Sequence, residues 1–409
     1  MDFDYGIIGG GPAGYTAGMA LAQNGYSVVL FEKDKLGGTC LNRGCIPTKS
    51  LLHSSEIYKQ IQKFQDYGFE LDIKSFDFAK IAEKRDKTVE KIRKSLELAV
   101  KNSGVTLINA EAKVANPTTI IADKEYSVGK IVVATGAMPR ELKGLESDGD
   151  FILNSDDVLK LNALPKSVLI IGSGAIGIEW ARIFSNFGVE VSLVEMAEHL
   201  IPLADIEVSK RIERIFKQNK IKFYTNDSVE NIENKVVTLK SGVVLEPDFV
   251  LSAVGRVPVN SDSEYCEVIG DASAQIQLAH YAISQAMNLA DGKSTTLVKE
   301  IIPSVIYGEP EIAWVGLREQ DCDDGCSKVM LPITALGKSW CDDATDGFIK
   351  IIAKDNRILG AHIVSKEDSA LIQQILIAMQ NDITIDKLKE ICFAHPTYSE
   401  GIFEAICRL

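Results

Sequence analysis

The chain has 409 residues, enough for about three domains that each bury a core of their own. Hydrophobic residues make up 46% and charged residues 25%, which excludes a disordered chain. A net charge of -13 excludes the broad basic surface that nucleic acid or anionic lipid would require, so neither is expected as a partner.

The opening stretch, "MDFDYGIIGG", is acidic and runs at once into a short strand, without the basic segment and long apolar run of a secretory leader. A cytoplasmic location is expected. Runs such as "VLII" and "KIVVA" are too short to cross a bilayer and read as buried parallel strands. The segment "DYGIIGGGPAGYTAGMALAQNGYSVVLFEK" reads as strand, glycine turn, helix of small residues and second strand, a complete βαβ unit. Gly9 allows the tight turn, Gly11 lets a pyrophosphate approach the backbone, and Gly14 lets the helix pack close to the strand. Glu32 stands 18 residues past Gly14, where a carboxylate accepts hydrogen bonds from ribose hydroxyls. The unit is expected to bind a dinucleotide.

Directly after it, "LGGTCLNRGCIPTKS" places Cys40 and Cys45 four residues apart. In a reducing compartment such a pair is catalytic or metal-binding more often than a structural staple. Zinc would need further ligands, and the next cysteines, Cys322 and Cys326, have no histidine close by in sequence. The remaining readings are two inert buried thiols or a reversible disulfide beside the bound dinucleotide. A helix is expected after Pro47. In "KTVEKIRKSLELAVKNSG", Val89, Ile92, Leu96 and Ala99 recur at helical spacing and read as a core-packing stripe.

The βαβ signature returns in "KSVLIIGSGAIGIEWARIFSNFGVEVSLVEM", with Gly172, Gly174, Gly177 and Glu195 at the same spacing. Two such units predict two dinucleotides and electron traffic between them. Glu195, and the absence of Arg or Lys from Met196 through Val208, favour NAD over NADP. Further on, "ADGKSTT" reads as a surface loop, and "FAHPTYSEGIFEA" sets Glu400 five residues after His395. An imidazole with a carboxylate partner is a base suited to making thiolates near neutral pH.

Taken in order, "GGTCLNRGCIPTKS", the paired glycine turns, "VVATGAMP", "VGRVPVN", "IGDA", "LAH" and "HPTYSE" resemble the FAD-dependent pyridine nucleotide-disulfide oxidoreductases. The match is nearest to the members that oxidise dihydrolipoyl groups. The resemblance implies an α/β fold of two doubly wound dinucleotide-binding domains followed by an α+β dimerisation domain. The FAD domain would span 1–150 and resume, shortened, at 255–300. The NAD domain would span 151–254 and the interface domain 301–409.

The same resemblance implies roles for individual residues. Cys40 resembles the thiol that exchanges with substrate, and Cys45 the thiol facing the flavin. Lys49 and Glu179 resemble an ion pair near the flavin ring, and Asp271 the carboxylate on its ribityl chain. Thr135 and Gly136 resemble a further FAD contact, and Pro12, Ala13, Lys33, Gly38 and Thr39 join the FAD set. Ala175, Ile176 and Gly255 join the NAD set. His395, oriented by Glu400, would reach the disulfide of the other subunit in a homodimer. The partner would be a lipoyl-bearing acyltransferase or carrier protein of a 2-oxoacid dehydrogenase or glycine-cleavage type complex.

A glutathione-reducing member of the family normally has basic residues at its second ribose site, which Glu195 and its neighbours do not supply. A reductase with a C-terminal cysteine pair is not matched by Cys407, which stands alone. From another class, the chain could be a flavin-poor scaffold subunit of a multienzyme complex. Its support is one departure from the family. Only nine residues, 261–269, separate Asn260 from the "GD" pair, reaching about 30 Å when extended. With the close at Leu409, a weaker hold on FAD or a looser dimer is expected.

Overall fold

The computed structural model describes residues 1–72, 74–259 and 265–409. The first unit runs β1 (Phe3–Ile8), α1 (Pro12–Gln23), β2 (Val28–Glu32), α2 (Gly38–Arg43), α3 (Cys45–Ile61) and α4 (Phe78–Asn102). It continues with β3 (Thr106–Asn109), β4 (Lys113–Asn116), β5 (Thr119–Ile121), β6 (Glu125–Val133) and β7 (Ala137–Pro139). Its sheet has the order β3-β2-β1-β6-β5-β4. The strands β3, β2, β1 and β6 are parallel, and every residue of β2 is buried, as expected of strands covered on both faces. Ala13, Gly14, Ala17 and Gly18 line the buried side of α1, because only small residues let that helix lie so close to the sheet.

The second unit repeats the plan. It comprises β8 (Ile152–Leu153), β9 (Ser167–Ile171), α5 (Ala175–Asn186), β10 (Glu190–Val194), α6 (Ile206–Gln218) and β11 (Lys222–Tyr224). An antiparallel meander, β12 (Val229–Glu233), β13 (Val236–Leu239) and β14 (Val244–Leu245), leads to β15 (Phe249–Ser252). The parallel sheet has the order β11-β10-β9-β15-β8. Helix α5 is buried nearly all round, with Ile178, Trp180, Ala181, Ile183 and Phe184 in the core, because α3 of the first unit packs on the side away from its own sheet.

The chain then returns through β16 (Arg256–Pro258), paired with β7, and β17 (Glu267–Val268), added in parallel to β6. Positions 261–264 of the shortened segment lie outside the described residues. On either side of them the backbone is pinned to the first unit, by Val259 N–H on the Gly136 carbonyl at 2.9 Å and by β17 on β6. Helix α7 (Ala279–Ala290) then lays Ala282, Ala286 and Ala290 into the core it shares with α1.

The last unit comprises β18 (Ser304–Ile306), β19 (Glu311–Gly316), β20 (Ser327–Pro332), α8 (Gly337–Cys341), β21 (Phe348–Lys354) and β22 (Arg357–Ser365). Three helices follow, α9 (Asp368–Gln380), α10 (Ile385–Lys389) and α11 (Glu400–Ile406). Its antiparallel sheet has the order β18-β19-β22-β21-β20. Along β21, Ile349 and Ile351 join the core under α9 and α11, while Phe348 belongs to the core of the second unit. Lys350, 2% exposed, points the same way as Phe348 and meets Asp205 at 2.7 Å and Glu319. A buried ammonium demands such partners.

Two local expectations need correction. The helix expected after Pro47 begins at Cys45, because Gly44 lets the chain fold back closely enough for the helix to start there. A Cβ on Gly44 would stand 2.9 Å from the Thr39 carbonyl oxygen. In the stripe assigned to core packing, Val89 is buried, but Ile92 is 41% exposed and Ala99 is exposed. The buried side of α4 is Phe78, Ala82, Arg85, Val89 and Val100, since neighbouring elements cover only that face.

Candidate active site

The backbone at the two glycine turns follows one plan. Gly9 has φ 107° and Gly172 φ 98°, and a Cβ on either would strike the carbonyl of the neighbouring strand, Ala134 O at 2.3 Å or Ala253 O at 2.7 Å. Gly14 and Gly177 must also lack a side chain, because a Cβ there would lie 1.8 Å and 2.0 Å from the carbonyl oxygens of Gly9 and Gly172. Each turn thus aims a helix N-terminus at a concave strip of bare backbone, a surface suited to a pyrophosphate. Glu32 accepts from Gly10 N–H and Asp34 N–H, both at 2.8 Å. Glu195 accepts from Ser173 N–H at 2.9 Å, Ser173 Oγ–H at 2.7 Å and Ala197 N–H at 2.9 Å. Both carboxylates are fixed at the ends of their strands.

Around the first turn the chain closes in. Gly38 opposes Gly11, and a Cβ on Gly38 would meet the Gly11 Cα at 2.7 Å. The short turn Gly270–Ser273 seats Gly270 against Ala13 and holds its N–H on Gln285 Oε1 at 2.7 Å. The Asp271 carboxyl is raised in pKa by burial, with the Arg256 charge opposing, and makes no hydrogen bond within the described residues. A desolvated carboxylate without a donor, beside a cradle that a Cβ would fill, fits a polyhydroxylated dinucleotide. Gly136 turns at φ 76°, while the Thr135 hydroxyl donates to Val259 O at 2.9 Å. Thr39 meets Arg256, and Lys33 points outward to Glu111 at 3.4 Å. At the second turn Ala175 and Ile176 open α5, and among the described residues neither Gly174 nor Gly255 has a neighbour within 4 Å of a Cβ position.

Cys40 on α2 and Cys45 at the first position of α3 are free thiols within hydrogen-bonding reach of each other. The Cys40 S–H donates to the Cys45 sulfur, which with the Lys49 ammonium pulls Cys45 down to about 7 against the opposing effect of burial. The same hydrogen bond and burial drive Cys40 upward. The start of a 17-residue helix adds favourable potential at Cys45. One turn on, Lys49 Nζ meets both Glu179 oxygens at 2.8 and 2.7 Å. The two residues sought as a pair are therefore together.

Two tyrosines complete this cluster. Tyr307 N–H donates to Glu179 Oε1 at 3.1 Å, and its ring lies 4.7 Å from the Lys49 ammonium. Tyr15 on α1 has its hydroxyl raised in pKa by burial and then by the charges of Cys40 and Cys45. Sequence reasoning missed both. Tyr15 could have been found as the first large side chain after the glycine turn, whereas Tyr307 is remote in sequence and carried no signal. Beside Lys49 opens a cavity of about 260 Å³ lined by His53, Glu56, Tyr307, Glu309, Glu311 and Lys366. Burial, reinforced by Glu309, pushes Glu56 up to about 7.

His395 and Glu400 form a separate pair, Nδ1 to Oε1 at 2.7 Å, at the start of α11. The other Glu400 oxygen accepts Thr397 N–H at 2.9 Å, and these two bonds hold the carboxyl below its usual range. A carboxylate only accepts, so Nδ1 carries the proton and Nε2 is left as the basic atom. The His395 side chain is 76% exposed, and no hydrogen bond or ion pair links it to Cys40, Cys45, Lys49 or Glu179 among the described residues. Among those residues no group of three His, Cys, Asp or Glu could hold a metal ion, and no helix is long and apolar enough to cross a membrane.

Known proteins resemble the chain along its whole length. The chain is 31% identical to a dihydrolipoyl dehydrogenase of Bacillus subtilis (strain 168), covering 99% of this chain and 97% of the relative. It is 32% identical to that of Zymomonas mobilis (99% and 97%) and 31% identical to the mitochondrial one of Pisum sativum (98% and 90%). The Bacillus alignment runs over 460 positions, more than this chain's own length. In fold the chain resembles the crystal structure of LpdA from Mycobacterium tuberculosis, with TM-score 0.91, 24% identity and 99% of both chains covered. It also resembles the HOCl-induced flavoprotein disulfide reductase RclA of Escherichia coli, with TM-score 0.87, 24% identity and the same coverage. Residues 3–284 match the family Pyridine nucleotide-disulphide oxidoreductase and residues 302–406 its dimerisation domain. The chain belongs to that family and is an enzyme of that class.

Proposed function

We propose that the chain is an FAD-containing, NAD-dependent enzyme that oxidises dihydrolipoyl groups through a Cys40–Cys45 disulfide. The observation that carries this reading is the Cys45 thiol, at the helix start beside the Lys49–Glu179 pair and close enough to Tyr15, on the helix that leaves the first glycine turn, to act on its hydroxyl. Similarity to dihydrolipoyl dehydrogenases along the whole chain supports the substrate.

His395 takes a proton from a dihydrolipoyl thiol, Glu400 keeping Nε2 basic. The substrate thiolate attacks the Cys40 sulfur; a mixed disulfide forms and Cys45 leaves as a thiolate steadied by Lys49. The second substrate thiol displaces Cys40, giving cyclic lipoyl disulfide and the reduced cysteine pair. FAD held there would supply the two-electron relay through which the Cys40 and Cys45 thiols return to the disulfide and NAD is reduced. In the first unit Gly9, Gly11, Pro12, Ala13, Gly14, Glu32, Gly38, Thr39, Gly136 and Asp271 would hold the FAD. Thr135 holds the return strand, and Lys33 sits at the edge of the site. Gly172, Gly174, Ala175, Ile176, Gly177, Glu195 and Gly255 would hold NAD. Among the described residues His395 makes no hydrogen bond or ion pair to the cysteines of its own chain, which supports a homodimer in which each protomer's histidine serves its partner's cysteines. A lipoyl-bearing carrier protein is the proposed partner.

The test is NADH formation from dihydrolipoamide, with glutathione and NADPH as controls, for the parent and His395→Gln. Turnover is expected to fall about 10²- to 10⁴-fold in the variant with flavin content unchanged. NADPH-dependent glutathione reduction in place of dihydrolipoamide oxidation would overturn the substrate.

A further inference from the structure

The sequence contains a second pair of close cysteines, in "QDCDDGCSK", which the reaction above does not use. In the last unit Cys322 and Cys326 are both half-buried, in the link between the helical turn Glu319–Asp321 and β20. Within this turn the Cys322 S–H donates to Arg318 O and the Cys326 S–H to Asp323 Oδ1, both at 3.5 Å, and the two thiols are close enough to act on each other's charge. Local bonds hold that geometry. Cys322 N–H donates to Glu319 O at 3.1 Å, Cys326 N–H to Asp323 O at 3.2 Å, and Gly325 N–H to Asp323 Oδ1 at 3.0 Å.

Two cations stand over the turn. Lys354 reaches Asp323 Oδ2 at 2.6 Å and lies close enough to Cys326 to feel its charge, while Lys328 acts on Cys322 in the same way. Gly325 makes room for this, since a Cβ there would press to 3.1 Å against Lys354 Cε. Neither sulfur belongs to a hydrophobic core cluster, as an inert structural thiol would. Among the described residues no third ligand gathers around them for a metal.

We propose that Cys322 and Cys326 form a second, peripheral dithiol–disulfide centre, closed by exchange with a low-molecular-weight disulfide of the glutathione type. One cysteine attacks as thiolate; its sulfur bonds to one sulfur of the small disulfide, whose S–S bond breaks and releases the first small thiol. The other cysteine then attacks that mixed disulfide, forming the internal bridge and releasing the second small thiol. The cysteines together lose two electrons and two protons, and the small disulfide gains both. Either thiol can open the exchange and the other, four residues away in the same turn, resolves it.

The placement gives the bridge a structural context. The residues just before it dock the last unit onto the second. Glu319 N–H donates to Asp205 Oδ2 at 2.8 Å, Gln320 Nε2–H to Ala204 O at 3.3 Å, and Arg318 Nη1–H to Pro202 O at 3.3 Å. The bridge would tie that docking segment to the first residues of β20.

Trypsin cuts after Arg318 and Lys328, so residues 319–328 leave as one peptide that contains this pair and neither Cys40 nor Cys45. The purified protein is equilibrated in graded ratios of oxidised to reduced glutathione, trapped with N-ethylmaleimide, and the peptide is weighed. The expected result is a change from two alkyl groups to an internally bridged peptide with none, through one midpoint, with little glutathione retained. Cys322→Ser should instead keep one glutathione on Cys326, while dihydrolipoamide turnover stays within about twofold of the parent. Two alkyl groups at every ratio, or persistent glutathione adducts on the unsubstituted peptide, would overturn the proposal. Neither reading depends on the substrate assigned to the first cysteine pair.

Discussion

Gly9–Gly14 and Gly172–Gly177 are two versions of one corner, alike in backbone and different in what covers them. In both, a glycine in the left-handed region passes under a neighbouring strand, and a strand-terminal glutamate is held by backbone N–H groups. At the first corner Gly38 of α2 opposes Gly11 and the Gly270–Ser273 turn presses on Ala13, so helix and turn roof the cradle. At the second, nothing among the described residues lies within 4 Å of a Cβ placed on Gly174 or Gly255. The contrast teaches how one duplicated unit serves two purposes. A roofed site suits a group that stays, and an open one suits a co-substrate that exchanges at each turnover.

The largest predicted effect separates the roof's chemistry from its bulk. Cys45→Ser, nearly isosteric, should lower dihydrolipoamide turnover by about 10³-fold or more while the flavin spectrum persists. Unchanged turnover would show that the thiol at the start of α3 is not a reacting group. Next, one substitution placed at both corners should give two outcomes. Gly11→Val would fill the space facing Gly38, so the protein should purify without flavin and be about 100-fold less active; Gly174→Val should keep its flavin and show only a raised KM for NAD. Equal flavin loss in both would erase the distinction.

A smaller effect is expected from the paired acids. Glu195→Gln should raise KM for NAD roughly tenfold, about 1.4 kcal/mol, with kcat held, whereas Glu32→Gln should act on flavin retention. The smallest concerns pH. Cys45 is depressed, so its thiolate is present above the shifted pKa and lost below it. Alkylation of the reduced enzyme by iodoacetamide should rise with pH and level off above about 7. Lys49→Met removes a cation that favours the thiolate and should move that midpoint upward; a downward shift would contradict the placement of Lys49.

Much of this was legible because it is local. Glycine turns, strand-end acids, the Cys40–Cys45 spacing and the His395–Glu400 interval are each set by a few consecutive residues, and the structure joins His395 to Glu400 at 2.7 Å. Lys49 and Glu179 were paired only through family resemblance, since 130 residues separate them. Tyr307, which braces that pair from a loop after β18, had no such guide. Helical periodicity groups Val89 with Ile92 on one face but does not say how far neighbours cover it, which is why Ile92 proved exposed. Lys350 sits mid-strand like any solvent-facing lysine, and only packing of the last unit on the second, with Asp205 and Glu319, explains its burial.

The most direct test is the absorption spectrum of the purified protein, recorded before and after one equivalent of dihydrolipoamide under anaerobic conditions. A bound flavin whose spectrum changes on addition, and returns when NAD is supplied, is the predicted result. A colourless protein that cannot be loaded with FAD, or a bound flavin that stays indifferent to the dithiol, would contradict the proposed roles of the roofed corner and its two sulfurs.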